Sequence, residues 1–294
     1  MVAVHHHTTT VDGLEVFYRE AGNPADPTIV LLHGTPSSSF MFRHLIPLLG
    51  KHFHVIAPDL IGFGYSSAPS VDKFDYTFDT LTAVTDHLLE QLGLDRYAIY
   101  TQDYGAPVGW RLALSHPDRI TAIVTQNGNA YEEGFVDSFW APLWTYANNR
   151  TPETAAPLRE ALELDAVRWQ YVHGVSDSTL LSPDAWIHDH ALLTRPGIDE
   201  VQLRLFADYP TNVRLYPAVQ RYFRDCRPPL LAVWGKNDEI FGPDGARAFL
   251  RDLPDAEIHL LDGGHFLLES HLDDVATLIT TFLHRSSGAR HAAR

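Results

Sequence analysis

One cysteine, Cys226, stands in a chain of 294 residues. It cannot close an internal disulfide, so the fold must rest on its core, and such usage suits a reducing compartment; the cytoplasm is the expected location. Positive charge is also scarce. Lys and Arg number 22 against 37 Asp and Glu, a formal net charge of -15, and that field repels phosphate backbones and anionic lipid heads. Neither nucleic acid nor a membrane is therefore an expected partner. No apolar run is long enough to span a bilayer, and no signal-peptide pattern opens the chain. The H-E-x-x-H, P-loop and Rossmann patterns are missing, so no metal and no organic cofactor is expected. His5, His6 and His7 form a histidine run, but adjacent residues on a flexible end seldom fix a coordination geometry. They read as a solvated tail, and the first few residues are set aside from the fold.

What is present is ordinary globular material, 45% hydrophobic and 20% charged, in a chain long enough to bury a large core. Short apolar runs end in polar or glycine-rich turns: LEVFYRE, TIVLLHG, FHVIAPD, YAIYTQD, ITAIVTQN, LLAVWG and EIHLLD. Between many of them lie helical periods, such as Phe78, Leu81, Val84, Leu88, Leu89 and Leu92. That alternation predicts an α/β fold, a mostly parallel sheet flanked by helices. It stops near Asn129. From there to about Asp225 the chain is rich in Trp, Tyr, Pro and helical periods without convincing strands, and alternation resumes at Pro228. The expected domains are a core of residues 1–129 and 228–284, an inserted helical cap of residues 130–227, and a frayed tail of residues 285–294.

Within YAIYTQDYGAPVGW, Asp103 falls where a strand gives way to a helix. Ligands meet open parallel sheets at the carboxyl ends of strands, where helix N-termini offer free N–H groups. Thr101 and Gly105 are small enough for a sharp bend, like the nucleophile elbow G-x-S-x-G with aspartate in place of serine. On this stretch alone a plain helix N-cap is the commoner role for such an acid. Other segments bear on the choice. The loop HGTP after a buried strand can turn the Thr35 N–H toward the elbow, where with the Tyr104 N–H it would form two oxyanion donors. LLAVWGKNDEIFGP delivers Asp238 onto a loop after a strand, and in IHLLDGGHF Gly263 and Gly264 free the backbone just before His265. Asp103, Asp238 and His265 thus follow the chain order of nucleophile, acid and histidine at three strand ends.

With the segments HGTP, DLIGFGYSSAP, QDYGAPVGWRLA, GKNDEIFGP and GGHFLLE in order, the chain resembles α/β-hydrolases of the branch that contains epoxide hydrolases and haloalkane dehalogenases. The resemblance covers nearly the full length and implies an eight-stranded α/β-hydrolase sheet with a cap. It also implies that Asp103 attacks a saturated carbon and becomes an alkyl ester, which water activated by His265, held by Asp238, then hydrolyses. A carboxylate with a pKa near 4 is already ionised for that role. Some dehalogenases of the branch place the acid after the strand preceding the cap, where Glu132 and Glu133 stand here; Asp238 is preferred because it directly follows a strand. His33, beside the proposed oxyanion loop, reads as structural.

The branch's epoxide hydrolases use two cap tyrosines as proton donors to the opening ring. Tyr146 and Tyr209 are candidates by position, although Tyr131, Tyr171, Tyr216 and Tyr222 also occupy the cap, where buried aromatics commonly only pack. The dehalogenase alternative needs halide donors. Tyr104 stands where the branch's tryptophan would be, Thr35 replaces the usual Asn or Glu, and Trp140, Trp144, Trp169 and Trp186 are more often core. Arg111, the arginine nearest the position of a carboxylate clamp, lies too far along the helix and is expected to face away. The resemblance therefore implies an epoxide-hydrolysing enzyme, with halide release second and a noncatalytic binding protein on the same fold as a third class. Its expected partners are water and a small, mainly apolar organic substrate; a homodimer stays open.

Overall fold

Tyr97–Gln102 is buried at every position, the signature of a strand covered on both faces rather than one alternating between core and water. Val30, Leu31 and Leu32 beside it are fully shielded, each worth about 1.5–3 kcal/mol relative to exposure. Around these strands the computed structural model describes the backbone of residues 2–292 and side chains through residue 286.

The strands are β1 (Val4–Val11), β2 (Leu14–Ala21), β3 (Thr28–Leu32), β4 (His54–Pro58), β5 (Tyr97–Gln102), β6 (Ile120–Gln126), β7 (Leu230–Gly235) and β8 (Glu257–Leu261). They form one eight-stranded sheet in the order β1-β2-β4-β3-β5-β6-β7-β8. β1 and β2 run antiparallel to their neighbours and the remaining pairs are parallel. Helices α1 (Ile46–Leu49), α2 (Phe78–Gln91) and α3 (Gly105–Ser115) precede β6. α2 starts at a capping box between Thr77 and Thr80 and buries Phe78, Leu81, Val84, Leu88 and Leu89, the periodic face expected of it.

Between β6 and β7 come α4 (Asp137–Asn148), α5 (Pro152–Glu160), α6 (Leu164–Val172), α7 (Asp184–Leu193), α8 (Ile198–Asp208) and α9 (Pro210–Cys226), with no strand among the described residues there. α10 (Pro243–Ala248), α11 (Leu267–Ser270) and α12 (Leu272–Ala292) complete the fold. Within the insertion the Trp140 ring lies 4.5 Å from that of Tyr209, and it meets the loop after β7 at Phe241, 5.2 Å away.

Two sequence expectations are corrected at the ends of the chain. His5, His6 and His7 are not a loose tail: they lie in β1, paired with Glu20, Arg19 and Tyr18 of β2. An edge strand needs only one neighbour and tolerates polar side chains, so a run of His and Thr, the latter a good strand former, carries no apolar signal and is easily overlooked. At the other end α12 continues to Ala292, so the stretch expected to fray is helical through that residue; residues 293–294 lie outside the described residues. No helix among the described residues is long and apolar enough to cross a membrane.

Candidate active site

Asp103 follows β5 at a backbone φ of +48°, a left-handed conformation that costs a non-glycine residue about 1–2 kcal/mol. The surroundings hold it there. A side chain at Gly34 would lie 2.2 Å from Asp103 Oδ1, and one at Gly105 would lie 2.1 Å from the Leu32 carbonyl oxygen; these glycines let the loop after β3 close over the bend. Thr35 N–H donates to Asp103 Oδ1 at 2.7 Å. The peptide between Thr35 and Pro36 is cis.

Asp103 is 4% exposed, and burial pushes its carboxyl up to about 6 against the pull of His265 and of the Thr35 and Tyr104 N–H groups. The expectation of an ordinary value near 4 therefore gives way, because desolvation of a charged group exceeds what two amides and a neighbouring cation return. Both backbone donors named from the sequence do face this carboxylate.

His265 and Asp238 are also brought here. His265 Nδ1 donates to Asp238 Oδ2 at 2.8 Å, and Asp238 Oδ1 accepts from Ile240 N–H at 2.7 Å. Burial of His265 disfavours its charged form, yet the field and hydrogen bond of Asp238, helped by Asp103, outweigh that and raise its pKa. Glu132 and Glu133 do not take the acid's place; Glu133 pairs with Arg251 at the surface. Gly263 and Gly264 also have a different purpose from the one expected. Neither has a positive φ, but a side chain at Gly264 would meet the His173 carbonyl oxygen at 1.9 Å. Space for the insertion, rather than backbone freedom, requires glycine there. Trp169 and His173 meet Asp238 and His265 at a shallow indentation.

Two partners of this group were invisible in the sequence. Asn127, at φ +45° just past β6, donates to Asp238 Oδ2 at 2.7 Å and accepts from Gly235 N–H at 3.0 Å. Gln102 donates from its amide to His265 Nε2 at 2.8 Å, which fixes the tautomer with the proton on Nδ1. Asn in QNGN has one usable signal, its tolerance of left-handed backbone; Gln102 has none beyond its place before Asp103. His33 is structural, as expected: its Nε2 accepts from Leu60 N–H at 3.0 Å while Nδ1 donates to the Gly34 carbonyl, and burial lowers its pKa.

Of the two tyrosines singled out, Tyr209 feels the charge of Asp103, whereas no hydrogen bond or ring contact joins Tyr146 to the site among the described residues. Tyr209 is buried, its ring lies 6.0 Å from that of Tyr104, and its hydroxyl pKa is raised well above the usual range, chiefly by burial, with Tyr216 and Asp103 adding to it. Tyr146 is half-buried on α4 and packs against the apolar core. Beside Tyr209 stands Tyr216, whose hydroxyl is buried near Tyr209 and Asn129 without a well-formed hydrogen bond to either. The Trp140 indole N–H is committed to the Ile240 carbonyl at 2.8 Å. Arg111 is bound by Asp79, Thr211, Asn212 and the Pro107 carbonyl, so it faces away from Asp103 as expected. A metal-like grouping, Asp86, Glu90 and His116, sits past the far end of α3, about 16 Å along the helix from Asp103, and Arg119 already bridges its two carboxylates.

Chemically the arrangement offers an acid that is mostly ionised at neutral pH, amide donors on its oxygens, and an imidazole braced by a second acid. The family model of the alpha/beta hydrolase fold matches residues 27–272. The chain belongs to the alpha/beta hydrolase fold family. Within it, this hydrolase is 47% identical over 279 residues to an uncharacterized hydrolase of Saccharomyces cerevisiae, covering 94% of this chain and 96% of that one. It is 30% identical over 275 residues to a haloalkane dehalogenase of Mesorhizobium japonicum, covering 90% and 87%. The solved structure of an epoxide hydrolase, CorEH, superposes with a TM-score of 0.79 over 96% of this chain and 99% of that one, at 21% identity, a likeness of fold.

Proposed function

We propose that this hydrolase uses Asp103 as a nucleophile on a saturated carbon and passes through an alkyl ester of that side chain, with an epoxide as substrate and a diol as product. The observation that carries this reading is the strained, amide-bound carboxylate at the end of β5, coupled to the His265–Asp238 pair. A carboxylate attacks without a general base. Oδ1 is held by the Thr35 N–H, and the other oxygen forms the bond to carbon as the ring C–O bond breaks and its electron pair goes to oxygen. Tyr209, kept protonated by burial, delivers a proton to that oxygen. Water then takes the place of the Gln102 amide at His265 Nε2, loses a proton to it and attacks the ester carbonyl, while the Thr35 and Tyr104 amides hold the oxyanion. Asp238 stabilises the imidazolium that forms. As the intermediate collapses, the bond between the Asp103 carbonyl carbon and the product oxygen breaks, that oxygen takes the imidazolium proton, and the carboxyl proton left on Asp103 returns to the Tyr209 phenolate.

The helical insertion serves as the cap of the site. It closes the apolar face over Asp103 with Tyr209 and Trp140, which suits a small, mainly apolar molecule. Dehalogenation is the second reading, favoured by the 30% identical relative named a haloalkane dehalogenase; the same ester would form, with halide leaving.

His265→Gln tests the first half. Incubated with a panel of epoxides and haloalkanes, this variant accumulates a covalent adduct on Asp103, seen as a mass increase on the peptide that contains it. Reversible occupancy with no mass increase across the panel would mean a binding protein or a different reaction. With the unaltered enzyme, diol release from epoxides supports the leading reading, and halide release alone reverses the order.

A further inference from the structure

Gln202 on α8 is wholly shielded from solvent, yet half of its amide has nothing to bind. Its Oε1 accepts from the Thr35 hydroxyl at 2.9 Å, while its Nε2 is buried without a hydrogen-bond partner. An amide N–H buried this way costs about 1–3 kcal/mol, so a native structure keeps one where a ligand completes it. The place is informative. Thr35 is the residue whose own N–H touches Asp103 Oδ1 at 2.7 Å, so the Gln202 carboxamide is linked through Thr35 to the carboxylate whose other oxygen attacks carbon. It also approaches from the insertion, about two turns before Tyr209, the C-cap of the same helix.

We propose that the Gln202 amide N–H is the second donor to the leaving atom of the substrate, in the place that the sequence assigned to Tyr146. This rests on the aspartate-ester mechanism above. A carboxamide cannot give up its proton at neutral pH, so Gln202 stabilises negative charge growing on the leaving atom by hydrogen bonding, and Tyr209 supplies the proton when that atom is oxygen. Substrates should accordingly be neutral molecules with an electronegative leaving atom on a saturated carbon. The strongest charged influences on Asp103 are His265 and Asp238, with no arginine or lysine among them, which gives a substrate carboxylate no partner. The Thr35 hydroxyl orients the amide, presenting N–H rather than C=O to the substrate.

The test separates the two chemical steps. In a His265→Gln background, adding Gln202→Met, which keeps length and loses the N–H groups, should slow adduct formation on Asp103 by about 10- to 100-fold with the best epoxide or haloalkane of the panel. With His265 intact, the decay of ester in the Gln202→Met enzyme should stay within about twofold of the unaltered enzyme. Thermal midpoints check folding. Should Gln202→Met fail to fold, Gln202→Leu, smaller and equally without a donor or a charge, should show the same selective loss. Equal adduct formation with and without Gln202, or equal slowing of both steps, overturns the proposal and leaves the ester mechanism standing. No adduct even in the His265→Gln parent overturns the mechanism and this proposal with it.

Discussion

The acids and imidazoles at the sheet's edge and the neutral polar groups of the insertion above it are matched to different extents. At the edge, Asp59 accepts from the Ser39 and Tyr65 N–H groups, His33 is bonded at both nitrogens, and Asp238 takes donors on both oxygens. In the insertion, Gln202, Asn212 and Tyr216 each bury a polar atom that nothing answers. The acids and the imidazole at the edge are held on both sides, which keeps their geometry, although Gln102 Oε1 and the Tyr104 hydroxyl beside them are also buried without a partner. On the reading proposed above, leftover donors in the insertion mark where a substrate is read. Reaction chemistry and substrate choice would then sit in different parts of the chain, and substitutions should divide along the same line.

The largest expected effect lies at the edge. Asp103→Asn should lower turnover by about 10^4-fold or more, with product release as the readout. The same change should raise the thermal midpoint at pH 7. A carboxyl whose pKa is raised on folding destabilises the fold once ionised, above about 6, and that gain for the Asn variant should shrink as pH falls toward the unfolded carboxyl value. A loss of stability at pH 7 would contradict the desolvation account.

Next in size is the contrast between the two tyrosines of the insertion. Tyr209→Phe should slow epoxide opening by about 100-fold and Tyr146→Phe by less than twofold; comparable losses would mean that the hydroxyls converge after all. Asn127→Gly suits the positive φ and removes the amide from Asp238, so turnover should drop by about 10- to 100-fold with the adduct still forming, as burst kinetics would show. In the His265→Gln background the pull of His265 on Asp103 is gone, so adduct formation should fall about tenfold for each unit below an inflection that lies above pH 6, following ionisation of Asp103. A flat profile down to pH 4 would refute the raised value. The smallest effect is on stability alone: Gly264→Ala should cost about 1–3 kcal/mol in denaturant unfolding by forcing a methyl against the His173 carbonyl.

Strand ends were legible because their signals are local. An apolar run that stops at a glycine or an acid is set by its own residues, and Asp103, Asp238 and His265 each follow such a run. β1 escaped because an edge strand needs no apolar alternation. Asn127, Gln102 and Gln202 escaped for another reason: they bond partners 111, 163 and 167 positions away, and an amide follows no hydrophobic period. For Tyr146, position within the insertion alone did not say which helix face turns to the sheet.

By itself the sequence determined the α/β alternation, the interruption after β6 and the three reactive side chains at strand ends, since hydrophobic period and turn chemistry act over a few neighbouring residues. Only the tertiary structure decided which amides brace them, that burial lifts Asp103 to about 6, and which donors of the insertion remain unanswered. Those properties depend on how segments remote in the chain exclude water from one another, and no short stretch contains that information.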